Sequence, residues 1–205
     1  MGQQVHLSKS KLISGWQCPK RLWLEVNAPE EAHYAPETEV AFAVGHQVGE
    51  AARSIFPEGI LIEHDQQLSE AVRETHERLA ASNPVTLFEA TLQAEGVLVR
   101  ADILSREETG QLHLIEVKAA TSVKDYYLVD CAIQLWVILE AGLPVQRLEL
   151  AHINNQFVYE GHGNYRGLFT FVDVLEECHE MQGEVDALVG EMREVLQGNE
   201  PRIAI

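Results

Sequence analysis

The stretch LHLIEVKAAT, residues 112–121, reads as a buried β-strand that carries two charges. Leu112, Leu114, Ile115 and Val117 make it apolar, yet Glu116 and Lys118 sit inside the run. Side chains alternate along a strand, so Glu116 and Lys118 point to one face. A charge buried without a partner or ligand is costly, so this pair needs a physical reason to be there.

The neighbouring sequence sets the topology. Residues 124–141 read as a helix carrying Cys131, Gln134 and Trp136, and QRLELAHIN (146–154) reads as the next strand. Strand, helix, strand over 112–153 is a βαβ unit, which implies two parallel strands with the helix on one face. Before it, VTLFEATL (85–92) and GVLVRADIL (96–104) are β-rich, and the turn SREETG (105–110) makes the pairing with 112–118 antiparallel. LFTFVDV (168–174) supplies one more strand, and residues 173–197 an amphipathic helix. Upstream, Ser8 or Ser10 caps a helix running to about Leu24, with Leu12, Trp16, Leu22 and Trp23 as its apolar positions. A second helix opens at Pro36 and stops before Pro57; a third, 67–82, carries Leu68, Val72 and Leu79 on one stripe. The expected fold is α/β: a mixed four- to five-stranded sheet flanked by helices. The chain is long enough for one domain, with a mostly helical part over 1–82, a sheet core over 85–155 and a closing strand and helix over 165–205.

Composition bounds the function classes. Hydrophobic residues make up 46% and charged residues 23%, ordinary for a globular protein. No apolar run approaches the roughly 18 residues of a membrane span, and the N-terminus MGQQVHLSKSK lacks the apolar core of a signal peptide. Cys18, Cys131 and Cys178 are too widely spaced for a secreted disulfide framework. A cytoplasmic protein without membrane contact is expected. The net charge of −17 argues against a broad nonspecific nucleic-acid surface. Residues 1–24, however, hold Lys9, Lys11, Lys20 and Arg21 and no acid, whereas ten acids after residue 159 face only Arg166, Arg193 and Arg202.

Asp102 is the one acid of strand 96–104, and both it and Glu116 lie seven residues from Thr109 in the turn. Directly opposed residues have Cβ atoms about 4.5–5.5 Å apart, so two carboxylates would meet there. They repel each other unless protonated or bridged by a cation. Few hard oxygen ligands suit Mg²⁺ or Mn²⁺, and a lysine beside such an ion can orient water or stabilise charge on phosphate. Glu89 is a further candidate ligand. The plainer alternative is a structural Glu–Lys pair at a strand end, with Asp102 solvated at the edge.

Asp102, the fourteen-residue interval and Glu116-Val117-Lys118 resemble the core of the PD-(D/E)xK nuclease superfamily. SKSKLISGWQCPKRLWLE (8–25) is similar to the N-terminal signature of its RecB-like branch, which includes CRISPR-associated exonucleases. VGHQVGEAA (44–52) resembles that branch's histidine-bearing helix, and DCAIQLWVILEAG (130–142) its glutamine-bearing helix. These matches run in family order from residue 8 to about 155. The resemblance implies that Asp102, Glu116 and Lys118 are catalytic, and that His46, Asp102, Glu116, the Val117 carbonyl and Glu89 hold the metal. It also implies Gln134 on the substrate side; the family's tyrosine four residues later is Ile138 here, with Trp136 nearby. The plainer alternatives are a helix-face histidine for His46 and an ordinary polar helix residue for Gln134. The basic segment, Lys9, Lys11, Lys20 and Arg21 with Trp16 and Trp23, would track a phosphate backbone or stack bases.

Many RecB-like relatives carry a [4Fe–4S] cluster on one N-terminal and three C-terminal cysteines. Cys18, in its Cys-Pro-Lys-Arg setting, resembles the first. Cys131 and Cys178 have no cysteine neighbours and read as small core residues. Four thiolates hold such a cluster, so its presence requires cysteines from a longer chain, and a lineage without the cluster is the alternative. The expected function is a Mg²⁺- or Mn²⁺-dependent DNA nuclease of RecB-like exonuclease type, acting on single- or double-stranded DNA with partner proteins. The alternative is a non-catalytic nuclease-fold module serving as a scaffold.

Overall fold

A computed structural model describes residues 7–31, 36–64, 67–81 and 84–202, without the side chains of 36–39. Residues 1–6 of the expected N-terminal part, Ser82 of the expected third helix and residues 203–205 lie outside the described residues.

Seven strands form one mixed sheet. β1 (Leu7–Ser8) and β2 (Ile60–Leu61) are two residues each; the longer strands are β3 (Val85–Ala94), β4 (Val97–Arg106), β5 (Leu112–Lys118), β6 (Val145–Ile153) and β7 (Phe169–Asp173). The path is β2-β3-β4-β5-β6-β7, with β1 joined to β4. β3/β4, β4/β5 and β6/β7 are antiparallel, and β5/β6 parallel. The class is the expected mixed α/β sheet, extended by two strands too short to leave a periodic pattern.

The crossover between β5 and β6 is α5 (Asp125–Glu140), apolar on nearly every side, with Ile133, Leu135, Val137 and Ile138 fully buried. A helix hydrophobic all round belongs inside, and α5 packs on one sheet face with Leu87, Leu104, Leu114 and Leu148. The other face is covered more thinly by α3 (Pro36–Arg53), where Val48, Ala51 and Ala52 meet Phe88, Ile103 and Ile115. The N-terminal half of α3 leaves Val40, Phe42 and Val44 exposed.

Three expected elements differ. The first helix is two, α1 (Lys9–Gln17) and α2 (Pro19–Asn27), because Pro19 cannot donate a hydrogen bond within a continuing helix. Cys18 at the break has extended backbone (φ −165°, ψ 111°), as a residue before proline prefers. Ser8 is the cap, its Oγ accepting from the Lys11 N–H at 3.3 Å. The expected stripe of α4 (Leu68–Ala81) is shifted: Ala71, Thr75 and Leu79 are buried and Leu68 is exposed. The last helix is α6 (Leu175–Glu180) followed by α7 (Gln182–Gln197), broken at Met181.

No helix among the described residues is long and apolar enough to cross a membrane.

Candidate active site at a fork in the sheet

β4 is shared by two partners along its length. β1 pairs with its first residues, Val97 and Leu98, and β5 with its last, Ile103 to Arg106. Ile103 opposes Ile115 and Leu104 opposes Leu114, the register that centres the turn on Thr109. The ladder stops one step before Asp102 and Glu116, and there Asp102 Oδ2 accepts the Val117 N–H at 2.7 Å in place of a strand bond. On the other side of β4, pairing skips Glu89 and Asp102 while Phe88–Ile103 and Ala90–Ala101 flank the gap. Glu89 has φ 54°, the left-handed region that costs a non-glycine residue free energy. Both acids thus stand where β4 loosens from its neighbours.

β1 leads directly into α1, and this junction delivers Lys9 into the fork. Lys9 Nζ lies 3.1 Å from Glu116 Oε1 and 2.9 Å from Asp130 Oδ1. Lys118 Nζ bonds the same Glu116 oxygen at 2.5 Å and also Asp130 Oδ2. Gln134 donates to Glu116 Oε2 at 2.7 Å. Two carboxylates and two ammonium groups therefore alternate in one largely buried cluster. Asp130 was not singled out by sequence reading; it is one acid in a helix that otherwise reads as core. The available signal was its spacing, four residues before Gln134 and hence on the same helix face.

Opposing effects set the charges. Burial alone would push Glu116 up, but Lys9 and Lys118 outweigh it and hold its carboxyl well below the usual range. Burial likewise disfavours the two ammonium groups, and the Glu116 and Asp130 carboxylates raise both lysines above their ordinary value. Asp102 goes the other way. Burial first, then repulsion from Glu116, raises it to about 8 against the weaker attraction of Lys9. No salt bridge reaches Asp102 among the described residues.

A cavity of about 560 Å³ under α3 is lined by His46, Arg53, Glu89, Asp102 and Val117. Four of the expected ligands thus surround one space, although His46 is highly exposed and stands 3.6 Å from Glu50. Glu89 is shared at 3.7 Å by Arg53 and Arg100. Glu116 is turned away toward the lysines, and no three His, Cys, Asp or Glu side chains among the described residues stand close enough together to hold an ion. The donors are the hard oxygens that Mg²⁺ or Mn²⁺ takes, and Asp102, partly buried without a counter-cation, is the donor such an ion would neutralise. Assembly of the full set requires Glu116 to leave one of its ammonium partners.

Several expected substrate contacts are placed differently. Lys9 is in the cluster just described, not on a surface row. Lys20 binds Glu200 at 2.6 Å, and Arg21 binds Glu25 at 2.8 Å, so neither presents an uncompensated charge. Lys11 is half-buried. Gln134 is fully buried and orients Glu116, which removes it from direct substrate contact. Trp23 donates its Nε1–H to the Gly198 carbonyl at 3.1 Å and so ties α2 to the end of α7. Trp16 is exposed, but it shares its groove with Asp125 and Glu184, which repel phosphate. Cys131 and Cys178 are core residues beside each other, and the hydrogen bond with Cys178, then burial, pushes the Cys131 thiol up. Cys18 has no second thiol in a ligand group, so this chain's described residues do not build a [4Fe–4S] site.

The fold and cluster define an α/β protein with a buried acid–lysine site at the fork of a mixed sheet. No family model matches the chain, and neither does any curated protein. Similar solved structures include that of SSO0001, with TM-score 0.49 and 15% identity over 99% of this chain and 81% of that one. LHK-Exo, solved in complex with dAMP, has TM-score 0.49 and 12% identity over 94% of this chain and 90% of its own.

Proposed function

We propose that this chain is a Mg²⁺- or Mn²⁺-dependent nuclease of the PD-(D/E)xK superfamily, RecB-like branch, hydrolysing phosphodiester bonds in DNA. The observation that carries the proposal is the pairing of opposites at the fork: Asp102, an acid with no ion pair among the described residues, beside Glu116, an acid neutralised by two lysines. A divalent ion bound by Asp102, Glu116 and the Val117 carbonyl, with His46 and Glu89 at its margin, would supply a Lewis acid and an acidified water. Lys118 is the residue that orients the attacking water and meets the charge developing on phosphate. Asp130 would keep the Lys118 ammonium paired if Glu116 served such an ion, and Gln134 donates to the second Glu116 oxygen. The chain acts in the cytoplasm, with partner proteins at DNA ends. A [4Fe–4S] cluster would require three thiolates from a longer chain to join Cys18.

End-labelled single- and double-stranded DNA, incubated with Mn²⁺, tests the reading. The wild-type chain is expected to cut, and Lys118→Ala and Asp102→Ala to lose at least about a hundredfold, the scale of one positioned catalytic group. Cleavage that survives both substitutions overturns the site. The −17 charge and the unassembled ligand set favour a second reading, a non-catalytic scaffold of nuclease fold. Absence of cleavage together with absence of Mn²⁺ binding in titration calorimetry would select it.

A further inference from the structure

The acid–lysine cluster is connected to the surface by a run of rings and ammonium groups at the start of α5. Lys118 Nζ stands 5.4 Å from the centre of the Tyr127 ring. The Tyr127 and Tyr126 rings are 4.4 Å apart and tilted by 59°. Lys124 Nζ lies 5.7 Å from the Tyr126 ring centre and 5.9 Å from that of Tyr127. Tyr127 is half-buried, whereas Tyr126 is 43% exposed and Lys124 is exposed. These distances are within the range of cation–π attraction.

Charge distinguishes this run from the ion-paired helix faces. Several surface cations elsewhere are bound to carboxylates, Lys20 to Glu200, Arg73 to Glu70 and Glu77, Arg78 to Glu74. Lys124 has no carboxylate in ion-pair reach among the described residues and rests against aromatic faces. Asp125 lines a separate groove with Trp16, Leu128 and Glu184 that includes neither Lys124 nor Tyr126. An exposed ring beside an uncompensated ammonium, one ring away from Lys118, matches the two needs of an unpaired nucleotide: a flat surface for the base and a cation for its phosphate.

We infer that Tyr126 and Lys124 form a subsite for one unpaired nucleotide of a single-stranded DNA end, with the base stacked on Tyr126 and the phosphate at Lys124. The inference rests on the nuclease reading above and adds where the strand leaves the site. Tyr127 is the spacer between this nucleotide and Lys118.

Fluorescence anisotropy with labelled oligo-dT, on the full chain in EDTA so that nothing is hydrolysed, tests it. Tyr126→Ala is expected to weaken binding about tenfold, the effect of one stacked base. Tyr126→Phe, which keeps the ring, should stay within about twofold. Lys124→Gln should lower the slope of log affinity against log salt by about 0.7, one phosphate of a single strand. A 2-aminopurine in the strand should be quenched by the wild-type chain and not by Tyr126→Ala. Unchanged affinity and quenching in Tyr126→Ala, while Lys118→Ala still abolishes cleavage, would overturn the subsite and leave the nuclease reading standing. A wild-type chain that binds no single-stranded DNA would overturn the subsite, and one that also cuts neither single- nor double-stranded DNA would overturn the nuclease reading with it.

Discussion

Asp130 divides its two oxygens between two lysines, and Glu116 bonds both lysines through one oxygen. The group is neutral only as a set of four. Removing one member leaves an uncompensated buried charge, which costs about 3–5 kcal/mol. Lys9→Met and Asp130→Asn should each destabilise the fold on that scale. The double variant should recover part of the loss, with a coupling of about 0.5–3 kcal/mol in a urea-denaturation cycle. Asp102 adds a pH dependence opposite in sign to that of Glu116. Glu116, held below its unfolded value of 4.5, contributes stability above that pH and loses it as pH falls through the folded value. Lys9 and Lys118, raised above 10.5, contribute below that pH and lose it as pH rises through their folded values. Asp102 at about 8, raised from 3.8, keeps a proton in the folded state that the unfolded chain releases, so stability declines as pH rises between those values. The urea midpoint should therefore fall from pH ~5 to pH ~8 in the wild-type chain and not in Asp102→Asn. On the proposed reading Mn²⁺ would displace that proton, so calorimetry in two buffers at pH ~6.5 should show proton release on binding and tighter binding at higher pH. At this scale Asp102, Glu116 and Lys118 were legible because their charges interrupt β patterns. Asp130 was not, because a lone acid in an apolar helix carries no periodic signal, and Lys9 was misplaced because its fork forms only when β1 pairs with β4.

Helices and strands explain how the fork is kept open. The β4–β5 register was legible because a polar turn lies between two β-rich runs and pairing about Thr109 follows from the chain itself, although Ser105 and Arg106 of the expected turn pair within β4. β1 and β2 were not, since two-residue parallel strands depend on β4 and β3 being already in place. β1 holds only through its short pairing, so the position of Lys9 depends on how α1 is seated. Gly15 is the seat. A Cβ there would stand 2.2 Å from Met192 Sδ, 2.9 Å from Met192 Cγ and 3.0 Å from Leu22 Cδ2. Met192 is a flexible side chain and can yield to a methyl, but the branched side chain of Gly15→Val must also move Leu22. The expected cost of that overpacking is about 1–3 kcal/mol, read as an earlier urea midpoint. Because α1 then lifts from α7, Gly15→Val should also lose most of the Lys9 coupling to Asp130 in the same mutant cycle. Unchanged coupling would place the anchor of Lys9 in β1 alone.

The whole molecule carries −17 and yet is proposed to hold a polyanion. Two fields of different range reconcile these. Net charge acts over the Debye length, about 30 Å at 10 mM salt and about 8 Å at 150 mM, whereas Lys118 and Lys124 act at contact distance. At low salt the summed negative field repels DNA before it reaches the fork, and it also strains the folded chain by self-repulsion. Modest salt screens the long-range repulsion first; higher salt then weakens the phosphate contacts themselves. The rate of cleavage per unit enzyme at low substrate should therefore rise from about 10 mM salt, pass a maximum near the ionic strength where the Debye length shrinks to contact range, and fall beyond it. A nuclease with a broad basic surface would decline from the lowest salt onward. Thermal stability, measured on the same samples, should climb through the interval in which cleavage first rises, because self-repulsion is relieved there too. A monotonic fall of cleavage with salt would mean that local cations outweigh the net charge at every distance, and that substrate approaches along a path the acidic surface does not reach.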